Sequence, residues 1–209
     1  MKYAYTYVLD TMADWEIGYA IAELNSGRFF QKPGERVPVK TVSVTKDPIT
    51  SSGGMTVLPD TTLDEIRPET TAVLLLPGAD WDQPQHAPIV DKARELLASG
   101  ANVAAICGAT SALARAGLLD SRPHTSNSLD YLKMVAPTYK GEAFYRDEPA
   151  VADGNLITAS SAGGLLFARY ILARLGVCSQ ETLEAWYHYF NTGDAHYFYA
   201  LMQTLPASS

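Results

Sequence analysis

Apolar positions follow two rhythms that alternate along the chain. Tyr3 to Leu9 is rich in Tyr, Thr and Val, which predicts a first strand. Asp14 then precedes Ile17, Ala20, Ile21 and Leu24, and Asn25-Ser26-Gly27 follows. That spacing predicts a helix with Asp14 as N-cap and Gly27 as its stop. Val37 to Val44 alternates apolar and polar residues and reads as an outer strand, and Ser51-Ser52-Gly53-Gly54 is a turn cluster. Thr71 to Leu76 is almost wholly apolar, as expected of a parallel strand covered on both faces, and ends in Pro77-Gly78. A helix over Ala87 to Ala98 follows, then a short apolar strand, Asn102 to Ile106, then a helix over Thr110 to Ala116 stopped by Gly117.

The second half is less regular. Arg122 to Asn127 reads as a strand, Leu129 to Val135 as a short helix stopped before Pro137, and Phe144 to Val151 as either state. Asn155 to Ala159 is an apolar strand after the Asp153-Gly154 turn. Leu165 to Leu175 is a helix ended by Gly176, and Ser179 caps a last helix through Phe190. Strands alternate with helices, which predicts an α/β fold with a mostly parallel sheet and helices on both sides. The end of the chain is crowded with aromatics: Trp186, Tyr187, Tyr189, Phe190, Tyr197, Phe198 and Tyr199. Core packing is the first expectation for such a stripe, then a dimer contact or a pocket wall.

Composition narrows the partners. The chain has 209 residues, enough for one well-buried core and too few for two typical α/β domains. Its net charge of −7 argues against nucleic acid or an anionic membrane surface and leaves small molecules and proteins. Two cysteines, Cys107 and Cys178, are too few for a disulfide framework and fit a reducing, cytoplasmic setting. The first ten residues have no signal-peptide pattern, and no apolar run approaches the roughly 20 residues that span a bilayer.

The chemistry concentrates at one turn. The run Asn102-Val-Ala-Ala-Ile-Cys107-Gly-Ala-Thr110 sends a buried strand into a cysteine, followed by small residues and a helix. That is the logic of a nucleophile elbow: a sharp turn lifts the side chain at the carboxyl edge of the sheet. The helix N-terminus, with its free N–H groups and dipole, is expected to lower the thiol pKa. Cys178, after Leu175-Gly-Val, lacks such a setting and reads as structural.

Around this turn the chain resembles the ThiJ/PfpI superfamily, also called class I glutamine amidotransferase-like. The resemblance rests on Ala104-Ala-Ile-Cys-Gly-Ala-Thr110, Ala116-Gly-Leu-Leu-Asp120, Leu75-Leu-Pro-Gly78, and Asp153-Gly-Asn-Leu-Ile-Thr158 followed by Ala162-Gly-Gly164, in that family's order and spacing. It implies one flavodoxin-like three-layer sandwich over residues 1–209, with an aromatic helical extension from about residue 179, and a homodimer. It also implies a cysteine-dependent hydrolase, amidase or glyoxalase-like enzyme for a small carbonyl or amide, with no cofactor or metal. The glutamate expected beside the thiol is Glu16. Gly78 and Ala79, with Gly108, are the expected oxyanion amides, although Ala79 stands where many relatives carry glycine. A positive φ at Ala79 would be costly.

The family's histidine is missing. Peptidase members carry one directly after the cysteine, where this chain has Gly108; others carry one where this chain has Asn127. Asn127 is therefore assigned to substrate orientation. His124, three residues earlier, reads as a surface or packing histidine. Glu184 and His188, one helical turn apart, read as a surface pair rather than metal ligands. Trp15 and Trp81 follow the two loops nearest the site and are either pocket walls or packing. Besides the enzyme, a redox sensor or interaction module switched by Cys107 oxidation remains open, as does a noncatalytic binding protein.

Overall fold

The computed structural model describes residues 1–205. Strands β1 (Tyr3–Tyr7), β2 (Val39–Ser43), β3 (Ile49–Thr50), β4 (Thr56–Val57), β5 (Thr61–Thr62), β6 (Thr71–Leu76), β7 (Asn102–Ile106), β8 (Ala150–Asp153) and β9 (Leu156–Ala159) alternate with seven α-helices. The helices are α1 (Asp14–Ser26), α2 (Ala87–Ala98), α3 (Gly108–Arg115), α4 (Leu129–Val135), α5 (Gly164–Leu175), α6 (Gln180–Thr192) and α7 (Ala195–Gln203). Seven strands form one sheet in the order β5-β2-β1-β6-β7-β9-β8, and β3 and β4 form a separate hairpin. Every pairing in the main sheet is parallel except β8 with β9. This is the mostly parallel, helix-flanked, flavodoxin-like sheet that the alternating pattern and the resemblance predict.

The strand order explains the layers. From β1 the chain steps to β2 on one side, and later to β6 and β7 on the other. Right-handed crossovers in opposite directions put α1 and α2 on opposite faces of the sheet. Helix α5 packs on α1, α6 on α5, and α7 on α6, so the chain returns to the α1 face. The core strands have no polar face to offer water: β6 is buried at every position, and β7 at all but its first. Order reversal beside β1 opens a crevice at the carboxyl ends of β1 and β6, the usual ligand position in such sheets.

Two expectations need correction. Arg122 to Asn127 is not a strand; it makes a single bridge, between His124 and Tyr145. Its polar groups are satisfied instead by side chains, Thr125 N–H donating to Thr158 Oγ1 at 2.9 Å and Thr125 Oγ1 to the Glu148 carbonyl at 2.8 Å. The last helix is also not the last: after Gly193, at φ 71°, Asp194 accepts from the His196 amide at 2.8 Å and starts α7. In the Phe144 to Val151 segment, β8 begins only at Ala150.

Candidate active site

Strand β7 ends in a strained residue. Cys107 has φ 56° and ψ −123°, and among the described residues only Thr11 shares a positive φ without being glycine. A non-glycine residue held there costs about 1–3 kcal/mol, so its surroundings must over-determine it. They do. The Cys107 N–H donates to the Ala159 carbonyl at 2.9 Å, and its carbonyl accepts from the Thr110 amide and hydroxyl. Thr110 Oγ1 is joined in turn to Ser126 Oγ at 2.7 Å. Gly108 permits the turn because a Cβ there would lie 2.6 Å from the Ala79 carbonyl oxygen.

Glu16 reaches the same point from the other side of the crevice. It is fully buried on the first turn of α1, its Oε2 accepting from the Gly78 N–H at 2.7 Å and its Oε1 from Ser161 Oγ at 2.8 Å. Gly78 fills the space between the two groups: a Cβ there would lie 2.5 Å from Glu16 Oε2 and 2.7 Å from Cys107 Cβ. The Gly78 amide is therefore engaged by Glu16 and is no free oxyanion donor, contrary to expectation. Ala79 is relaxed, with no positive φ. The N-cap of α1 is Ala13, not Asp14. Asp14 is the first helical residue, and its Oδ2 accepts from the Gly53 amide at 2.7 Å, tying down the β3–β4 turn.

Asn127 completes the contact set. Its Nδ2 donates to Cys107 Sγ at 3.3 Å, and its Oδ1 accepts from the Ser161 amide at 2.9 Å. Ser161 is the residue that sequence reasoning missed. It bridges Glu16 and Asn127 from the carboxyl end of β9, and its position just beyond a buried parallel strand was the available signal.

Cys107, Glu16 and Asn127 thus meet at one sheet edge, and known proteins share the framework. The DJ-1/PfpI family model matches residues 2–174. The chain belongs to the DJ-1/PfpI family. It is 48% identical to the uncharacterized protease YoaZ of Bacillus subtilis, over 96% of each chain. It is 30% identical to the deglycase PfpI of Pyrococcus furiosus over 131 residues, which are 61% of this chain and 75% of that one. A crystal structure of a thiJ/pfpI family protein from Bacillus anthracis superposes with a TM-score of 0.95 at 48% identity, covering 98% of this chain and 97% of the other.

Within this DJ-1/PfpI framework the thiol is not the activated thiolate that a helix N-terminus alone would give. Burial pushes the Cys107 pKa up, and the charge and hydrogen bond of Glu16 push it the same way. The hydrogen bonds from Asn127 and Ser161 oppose them. Cys107 and Glu16 behave as a pair that competes for a proton, with donors placed around both members.

The remaining candidates fall outside the cluster. His124 is fully buried: its Nδ1–H donates to the Arg122 carbonyl at 2.7 Å and its Nε2 accepts from Tyr139 O–H at 2.6 Å. Both ring nitrogens are engaged, which makes it a packing histidine. Trp81 is buried, donates from Nε1 to the Pro77 carbonyl at 2.9 Å, and lies against Gly108 on one side and a cleft of about 320 Å³ on the other. Trp15 is 62% exposed. Cys178 is a free, buried thiol whose pKa burial pushes up to about 12, as suits a structural cysteine. Glu184 pairs with Arg169 as well as His188, and no metal-binding group of three or more ligands occurs among the described residues. No helix among those residues is long and apolar enough to cross a membrane.

Proposed function

We propose that the protein is a cysteine-dependent enzyme of the hydrolase, amidase or glyoxalase type, acting on a small carbonyl or amide compound through Cys107. The observation that carries this reading is the strained elbow that holds Cys107 against a fully buried carboxylate, Glu16. In its carboxylate form Glu16 takes the proton from the thiol as Sγ attacks, the service a histidine gives in other cysteine enzymes. Gly108 opens α3 and so has no intrahelical acceptor for its N–H. Its amide and that of Ala79, neither of which has a partner among the described residues, remain for the developing oxyanion. Asn127 holds the sulfur from the open side.

The printed names of the relatives, a deglycase and a protease, fit carbonyl and amide chemistry. The reading includes a cytoplasmic homodimer working on a small molecule, with no cofactor. The net charge of −7 supports leaving out nucleic acid and anionic membranes.

The test is turnover of methylglyoxal and of p-nitrophenyl acetate by the parent and by Cys107→Ser. The parent is expected to turn over at least one, and the variant to lose about 10²-fold or more. Equal rates in the two would refute the assignment. Stoichiometric, peroxide-dependent oxygen uptake on Cys107 without turnover would favour the sensor instead.

A further inference from the structure

The oxyanion site just described is one donor short, because the Gly78 amide is committed to Glu16. A side chain near the elbow is placed to supply the missing donor. Asn127, which contacts Sγ, is followed by Ser128, the N-cap of α4, whose hydroxyl accepts from the Tyr131 amide at 3.0 Å. Tyr131 therefore occupies the first turn of α4, and α4 packs on α3, the helix that Cys107 opens. Ser111, on the first turn of α3, donates its hydroxyl proton to the Gly108 carbonyl at 2.7 Å and keeps lone pairs free to accept. Tyr131 is half-buried and packs against the core.

The electrostatics place the phenol at the same spot. Burial raises its pKa, a hydrogen bond with Ser111 opposes the rise, and the charge of Cys107 adds to it. A phenol under those influences stays protonated at every working pH and is a permanent donor.

We propose that Tyr131 is the third hydrogen-bond donor of the oxyanion site, its phenolic O–H turning from Ser111 to the oxygen that becomes anionic when Cys107 adds to a carbonyl. This deepens the cysteine-enzyme reading and rests on it. In that step the Sγ–carbon bond forms, the carbonyl π pair moves onto oxygen, and the thiol proton passes to the Glu16 carboxylate. Tyr131 keeps its proton and shares it with the oxyanion.

The experiment compares the parent with Tyr131→Phe in two single-event reactions of Cys107. One is the p-nitrophenolate burst on acylation by p-nitrophenyl acetate, which builds an oxyanion. The other is alkylation by iodoacetamide, which builds none, measured on its high-pH plateau. The proposal predicts an acylation rate lower on the order of 10²-fold with the alkylation plateau unchanged. Equal acylation rates would overturn it, as would a parallel fall in both reactions, the mark of a packing role. A parent that alkylates but gives no burst would instead sink the carbonyl-addition reading itself, and the role of Tyr131 with it.

Discussion

At the scale of single residues, Gly78 does more than permit a turn. Its missing Cβ leaves the only space in which a carboxylate and a cysteine can face each other across the crevice. A methyl group there meets Glu16 and Cys107 at distances no side chain tolerates, and neither is a flexible surface group. Gly78→Ala is expected to cost about 1–3 kcal/mol in urea unfolding and to change Cys107 alkylation as well. A variant of parental stability and parental reactivity would show that the two groups are not held together by this contact. Much of the site was legible in the chain: Cys107 from a strand running into small residues, Glu16 and Asn127 from the resemblance. Ser161 was not, because a serine after a strand carries no periodicity. The engagement of the Gly78 amide was not either, because it depends on where the Glu16 side chain lies.

At the scale of elements, residues 122–127 show where pattern reasoning fails. The segment has the composition of a strand, but no neighbouring strand is free to pair with it, since β9 is already paired on both sides. It is fixed by side chains instead, chiefly Thr158 and Thr110, which hold Thr125 and Ser126. These contacts deliver Asn127 to the sulfur. Thr158→Val removes the acceptor of the buried Thr125 amide at nearly constant volume. It is expected to cost about 1–3 kcal/mol and to raise the pKa of Cys107 by loosening Asn127, read together from urea unfolding and thiol titration. An effect on stability with an unmoved thiol would separate the segment from the site. The strongly apolar strands β6 and β7 and the capped helices were legible because burial on both faces and cap chemistry are local. The side-chain anchoring of residues 122–127 was not, because its partners come from elsewhere in the chain.

At the scale of the whole molecule, the aromatic C-terminus divides between core and surface. Trp186 is almost fully buried, donating to Glu23 at 3.1 Å, and Glu23 also holds Arg28, so α6 is pinned to α1. Tyr199 on α7 is 65% exposed. The stability of the assembled fold is expected to depend on pH through two buried histidines. Burial depresses the pKa of both His86 and His124 from 6.5. Above that value neither the folded nor the unfolded chain holds these protons. Below it the unfolded chain takes them up first, so stability falls as pH drops through 6.5 toward the folded values. In urea unfolding followed against pH, His124→Gln should fall less steeply than the parent below 6.5; parallel curves would exclude His124 as a source.

The central claim is that Cys107 and Glu16 form one proton-sharing pair at the elbow. Its most direct test is the pH dependence of Cys107 alkylation, followed by intact mass, in the parent and in Glu16→Gln. The parent is expected to titrate above the ordinary thiol value, with burial as the chief cause and the Glu16 charge beside it. Removing that charge should move the profile to lower pH. An unmoved profile, or one that moves to higher pH, would contradict the pair.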